Sequence, residues 1–165
     1  NKKINIPFDP KKRYEHYRSF VTSPLYQLTS YEDIFQHIQE NSEHICLCHN
    51  DWVEGNILFD KEKTYLIDYE YAADNDPLFD VMSFITENQI VDETLRERFY
   101  RVYFDEITPE IRRELFIWEN VHNLLWCMWA MMMWEHRHED IYQSIAKDKY
   151  EALQHSYQAW IQWNK

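Results

Sequence analysis

His49-Asn50-Asp51-Trp52-Val53-Glu54-Gly55-Asn56, followed by Ile57-Leu58-Phe59 and then by Thr64-Tyr65-Leu66-Ile67-Asp68, constrains the fold of this chain more than any other stretch. Two short apolar runs flank the polar turn Asp60-Lys61-Glu62-Lys63, so the segment reads as strand, turn, strand. The preceding run Ile45 to Cys48 reads as a buried strand, which leaves His49 to Asn56 as a loop. That loop is tied to one end of a hairpin, and Asp68 stands where the second strand delivers its last residue into a cleft. So small a β unit provides no sheet large enough for a doubly wound fold.

The remainder is helical by pattern. Asn1 to Lys12 is polar and basic and is expected to be a linker or a cut end, with Tyr14, Tyr17, Phe20 and Val21 following at helical spacing. Thr29-Ser30-Tyr31-Glu32 matches a capping box and predicts a helix to about Asn41, with Ile34 and Ile38 facing inward. Asp76-Pro77 starts a helix to about Glu87 by N-cap and first-turn proline. Asp92 to Phe104 is a further helical segment, and Thr108-Pro109 starts a long helix that carries Trp118, Val121, Leu125, Trp126, Met128, Trp129, Met132 and Met133. A last helix is expected from about Ile145 to Trp163. The predicted architecture is mainly α with a small β-hairpin catalytic region, in a single body over residues 1–165. Within it, residues 45–88 carry the loop, hairpin and following helix, and residues 108–163 carry aromatic-rich helices.

Composition narrows the function. A net charge of −12 excludes a nucleic-acid surface, which needs clustered Lys and Arg, and suits a cationic ligand and a divalent metal. Seven Trp and twelve Tyr exceed the needs of a core and can line a site for a flat or cationic group. No uncharged run reaches membrane-spanning length and no signal peptide is visible. Cys46, Cys48 and Cys127 make an odd count, read as reduced thiols of a cytoplasmic protein. Cys46-x-Cys48-His49 lacks a clear fourth zinc ligand, and His136-Arg137-His138-Glu139-Asp140 reads as a solvated helix end.

His-x-Asp-x4-Asn, with a strand-borne aspartate after it, is the layout of a phosphoryl-transfer loop. Asp51 is then the carboxylate that orients or deprotonates an attacking hydroxyl, with Asn56 a neutral and Asp68 an anionic oxygen ligand for magnesium. His49 braces the loop. The competing account is that His, Asp and Asn are common turn-capping residues, and Ile67-Asp68-Tyr69-Glu70 at a strand end weighs against it. Trp126 and Trp129, three apart, share a helix face and can wall a quaternary ammonium or form a core stripe. Gly55 is the only glycine, so no glycine-rich loop over nucleotide phosphates can be written in this chain.

Taken together, His49-Asn50-Asp51 through Asn56, Leu66-Ile67-Asp68-Tyr69-Glu70-Tyr71-Ala72, Asp76-Pro77-Leu78-Phe79-Asp80 and Leu125-Trp126-Cys127-Met128-Trp129 resemble the C-terminal lobe of choline and ethanolamine kinases. These belong with the aminoglycoside-phosphotransferase-like kinases of the protein-kinase-like superfamily, and the resemblance runs from Cys46 to about Tyr157. It implies an α+β lobe in which Asp51 is catalytic beside His49 and in which Asn56 and Asp68 bind Mg2+. It implies that Glu70 and Glu87 put negative charge near a cationic alcohol and that Trp126 and Trp129 form its aromatic walls. Asp80 would hold the catalytic loop; Tyr142 and Tyr150 are candidates for a third wall, and Trp52 stands where many relatives have a smaller or polar residue. The implied partners are choline, ATP as cosubstrate and a missing N-terminal lobe, without which the isolated chain is expected to be inactive; an exposed lobe face would favour a homo-oligomer. Ethanolamine, thiamine and aminoglycoside kinases share the same chemistry, and a non-catalytic choline-binding fragment is the reading from another class.

Overall fold

The structure, a computed structural model, describes residues 2–38 and 45–164. In chain order its elements are helix α1 (Pro10–Arg18), a 3-10 helix (Thr29–His37), strand β1 (Cys46–Cys48), a 3-10 turn (Glu54–Asn56), strands β2 (Ile57–Phe59), β3 (Thr64–Leu66) and β4 (Ala73–Asn75), and helices α2 (Pro77–Glu87), α3 (Glu93–Tyr103), α4 (Pro109–Arg137) and α5 (Asp140–Trp163). They fall into two compact units, Asn1–Phe8 with Asn41–Leu115, and Asp9–Glu40 with Phe116–Lys165.

The first unit holds both sheets, each two-stranded and antiparallel. The expected hairpin pairs Ile57 with Leu66 and Phe59 with Thr64. Asp60 closes its turn, accepting the N–H groups of Glu62 and Lys63 at 2.8 and 2.9 Å. The other sheet pairs β1 with β4, Cys46 opposite Asn75 and Cys48 opposite Ala73. Ala73-Asp74-Asn75 carries no apolar run, so β4 had no sequence signal. It forms by pairing with β1, and Asp74 also gathers the N-terminal segment, its carboxylate accepting the N–H groups of Ile4 and Asn5 at 2.8 and 2.7 Å and its carbonyl that of Phe8 at 2.8 Å. Over residues 2–12 the linker expected from Asn1 to Lys12 is instead ordered structure. Residues 2–8 lie along the sheet, Leu47 N–H donates to the Lys2 carbonyl at 2.8 Å, and α1 starts at Pro10 behind the Asp9 cap. Leu47 is 43% exposed, so β1 is not buried on both faces.

Helix starts follow local side-chain chemistry. Asp76 accepts the Leu78 N–H at 2.9 Å in front of Pro77, Asp92 accepts those of Thr94 and Leu95, and Thr108 Oγ1 accepts that of Ile111. Phe79, Val81, Met82 and Ile85 turn α2 into the core of this unit.

The second unit contains α1, the first 3-10 helix, the larger part of α4, and α5, around a core that includes Ile117, Val121, Leu124, Leu125, Met131 and Leu153. The capping box at Thr29 does not form, because Glu32 is used elsewhere: its carboxylate accepts the Tyr14 hydroxyl at 2.9 Å and Arg18 Nη1 at 2.8 Å. The segment tightens into a 3-10 helix with Ile34 buried and Ile38 half-buried at its end, and Asn41 lies outside the described residues. Helix α5 begins at Asp140 rather than near Ile145, because His138 adopts a left-handed backbone (φ 54°) that ends α4. Residues 136–140 are an exposed helix junction. Among the described residues no helix is long and apolar enough to cross a membrane.

Candidate active site

The loop of residues 49–56 is held from α2. Asp80 accepts the His49 N–H through Oδ2 at 2.9 Å and the Asn50 N–H through Oδ1 at 2.7 Å. Two charge-assisted bonds from one carboxylate set the path of the chain just before Asp51. Asn50 takes a left-handed conformation (φ 66°) that asparagine tolerates better than most residues. Its fully buried side chain donates to the Tyr71 carbonyl at 2.9 Å and accepts from Asn75 Nδ2 at 2.8 Å. His49 is also buried; its Nε2 donates to the Ile67 carbonyl at 2.9 Å, and its ring packs edge-on to Tyr69. His49 is thus a brace that ties the loop to the residue preceding Asp68.

Asp51 and Asn56 meet directly. Asn56 Nδ2 donates to Asp51 Oδ2 at 2.9 Å and to the Asp51 carbonyl at 3.1 Å, which leaves Asn56 Oδ1 as a neutral oxygen donor. The Ile67 N–H donates to the Asn56 carbonyl at 3.0 Å, fastening β3 to the loop immediately before Asp68. Asp68 has a left-handed backbone (φ 60°) and an exposed side chain. Burial first, then the Glu87 carboxylate and a smaller push from Asp68, raise the Asp51 carboxyl to about 6 against the downward pull of the Asn56 hydrogen bond. Asp51, Asn56, Asp68 and Glu87 therefore share one electrostatic neighbourhood, whereas Glu70 is exposed just beyond Asp68. Among the described residues no group of three or more His, Cys, Asp or Glu side chains is gathered around a metal position. An amide oxygen and a single carboxylate nevertheless suit a hard cation that keeps several waters.

Trp126 and Trp129 lie in the second unit with ring centroids 5.9 Å apart, edge to face. Trp126 is buried and its Nε1 donates to His122 Nδ1 at 3.1 Å; Trp129 is half-buried and meets Tyr142 edge-on at 5.8 Å. Tyr150 is engaged differently, stacked on Tyr26 at 4.3 Å. Sequence reading missed the residues that grip the loop, namely Asn50, Asn75, Ser83 and Asn88. For Ser83 a signal existed, since positions 80, 83 and 87 share one face of α2.

A profile of the phosphotransferase enzyme family matches residues 17–115, more than half of the chain. Protein LicA of Haemophilus influenzae is 30% identical over 130 residues, covering 69% of this chain and 47% of its own. Probable choline kinase 2 of Arabidopsis thaliana is 27% identical over 139 residues, 68% of this chain and 39% of its own. The chain spans about half or less of the length of these curated relatives. Among solved structures, a choline/ethanolamine kinase family protein from Mesorhizobium loti superposes with a TM-score of 0.76 at 21% identity, over 92% of this chain and 54% of that one. Choline kinase LicA from Streptococcus pneumoniae gives 0.74 at 21% identity, over 92% and 57%. The fold is shared with these kinases, and the chain belongs to the phosphotransferase enzyme family.

Proposed function

We propose that the complete protein is a cytoplasmic kinase that transfers the γ-phosphoryl group of ATP to the hydroxyl of choline, giving phosphocholine, with Mg2+ as cofactor. Asp51 orients the choline hydroxyl and accepts its proton. Asn56 and Asp68 would hold magnesium, which when bound supplies positive charge opposite the phosphates. Glu70 and Glu87 contribute negative charge for the quaternary ammonium, and Trp126 and Trp129 its aromatic walls. The observation that carries the reading is the Asp51–Asn56 pair at 2.9 Å, with the Asp51 carboxyl pushed up to about 6 beside Glu87. A carboxylate raised in this way is a better proton acceptor near neutral pH than a solvated one. The choline acceptor draws support from relatives named as choline kinases, and the cytoplasmic location from three free thiols.

The test is phosphoryl transfer by the complete protein to choline, ethanolamine, thiamine and an aminoglycoside, with Asp51→Asn alongside. Choline is expected to be the preferred acceptor. Asp51→Asn should lower kcat by roughly 10²- to 10⁴-fold while choline affinity by calorimetry stays within about twofold. Preference for ethanolamine would move the acceptor within the same chemistry. Choline binding with no transfer to any alcohol would leave only a binding module.

A further inference from the structure

Helix α2 holds the loop on both sides of Asp51. Asp80 fixes the chain before it, as described above. Beyond it, the Trp52 N–H donates to Ser83 Oγ at 2.8 Å, and Asn88 Nδ2 donates to the Trp52 carbonyl at 2.8 Å. The Trp52 N–H belongs to the same peptide plane as the Asp51 carbonyl, which accepts from Asn56 Nδ2 at 3.1 Å. The plane leaving the Asp51 Cα is therefore gripped at both ends, by Asn56 on one side and Ser83 on the other. Asn88 fixes the next plane and, as the C-cap of α2, also donates to the Phe84 carbonyl at 2.7 Å. Ser83 is fully buried, so no water competes for its oxygen.

From this we infer that Ser83 and Asn88 are positioning residues for Asp51: by clamping the peptide planes on either side of Trp52 they hold the chain that leaves the Asp51 Cα, and with it the place of the Asp51 carboxylate. The inference rests on the proposed role of Asp51. It adds that α2 sets the aim of the reacting group as well as the path of the loop. A reacting carboxylate displaced by about 1 Å costs on the order of 100-fold in rate. Ser83→Ala removes one oxygen and leaves the helix and its core contacts in place, so its effect reports the grip.

The experiment compares Ser83→Ala, Asn88→Ala and Asp51→Asn, singly and with each of the first two combined with the third, in the complete enzyme. Ser83→Ala and Asn88→Ala are expected to lower kcat by roughly 10- to 100-fold, with KM for the alcohol within about threefold. In the Asp51→Asn background the same substitutions should cost less than about twofold, because their effect passes through Asp51. A kcat within twofold of the parent in both single variants, or an equal loss in both backgrounds, overturns the inference. A second readout, hydrogen exchange of the Trp52 amide in the 165-residue chain by NMR, does not depend on activity. Ser83→Ala should accelerate that exchange roughly three- to tenfold, and an unchanged rate again overturns the inference. If the parent enzyme phosphorylates no alcohol, the functional reading falls, and the Trp52 amide alone decides whether the clamp exists.

Discussion

Asp51→Asn should make the protein more stable at pH 7 even as it removes the carboxylate proposed to accept the hydroxyl proton. The ordinary value of this carboxyl is 3.8, and burial and Glu87 push it up to about 6 in the fold. At 1.36 kcal/mol per pKa unit the ionised form is disfavoured by at most about 3 kcal/mol. The side chain keeps partial contact with solvent, and screening reduces this to about 1–2 kcal/mol. Because the folded-state pKa is raised, the native state binds the proton more tightly than the unfolded chain. Stability is therefore highest below about pH 4, where both states are protonated, and is lost as pH rises through about 6, above which the whole penalty applies. Asparagine carries no such penalty and can still accept from Asn56 Nδ2 through its own oxygen. Urea unfolding of both proteins in chelator-treated buffer should show Asp51→Asn ahead by about 1–2 kcal/mol at pH 7, with the gap closing towards pH 4. On thermal melting the gain corresponds to about 2–8 °C. Glu87→Gln should recover the part that is charge repulsion. An Asp51→Asn protein no more stable than the parent at pH 7, or ahead by the same margin at every pH, would refute the reasoning.

Three further outcomes follow from the same contacts. Asp80→Ala strips both charge-assisted bonds from His49 and Asn50 and should cost about 2–4 kcal/mol in urea unfolding; a loss below about 1 kcal/mol would show that the loop holds itself. Of the three thiols, Cys46 should react readily with a disulfide reagent in the native protein. Cys48 and Cys127 should stay protected, since both are buried and burial pushes the Cys127 thiol up to about 12; equal labelling of all three would contradict this packing. Trp129→Ala should lower kcat/KM for choline roughly 3- to 30-fold in the complete enzyme and that for ethanolamine by less than about threefold, because a primary ammonium favours carboxylates over aromatic faces. Equal losses would make Trp129 a packing residue.

The sequence by itself determined what is local. Asp76, Asp92 and Thr108 mark where α2, α3 and α4 begin, because a cap is a contact between a side chain and a backbone N–H two or three residues on. The hairpin and the meeting of Asp51 with Asn56 are local too, the pair being five residues apart. Tertiary structure decided the rest. Glu32 could cap its own helix, but Tyr14 and Arg18 claim it, and no window around Thr29 reveals that competition. Ala73-Asp74-Asn75 becomes a strand only by pairing with β1, and Asp74 then takes the N–H groups of Ile4 and Asn5, 70 and 69 residues away in sequence. The aim of Asp51 is set by Asp80, Ser83 and Asn88, some 30 to 36 residues downstream of the groups they hold. Its raised pKa exists only because folding takes it out of water and brings Glu87 beside it. Spacing along a chain fixes which atoms can meet across one turn; solvent exclusion and long-range hydrogen bonds, which set the chemistry of a carboxylate, arise only once distant segments have packed.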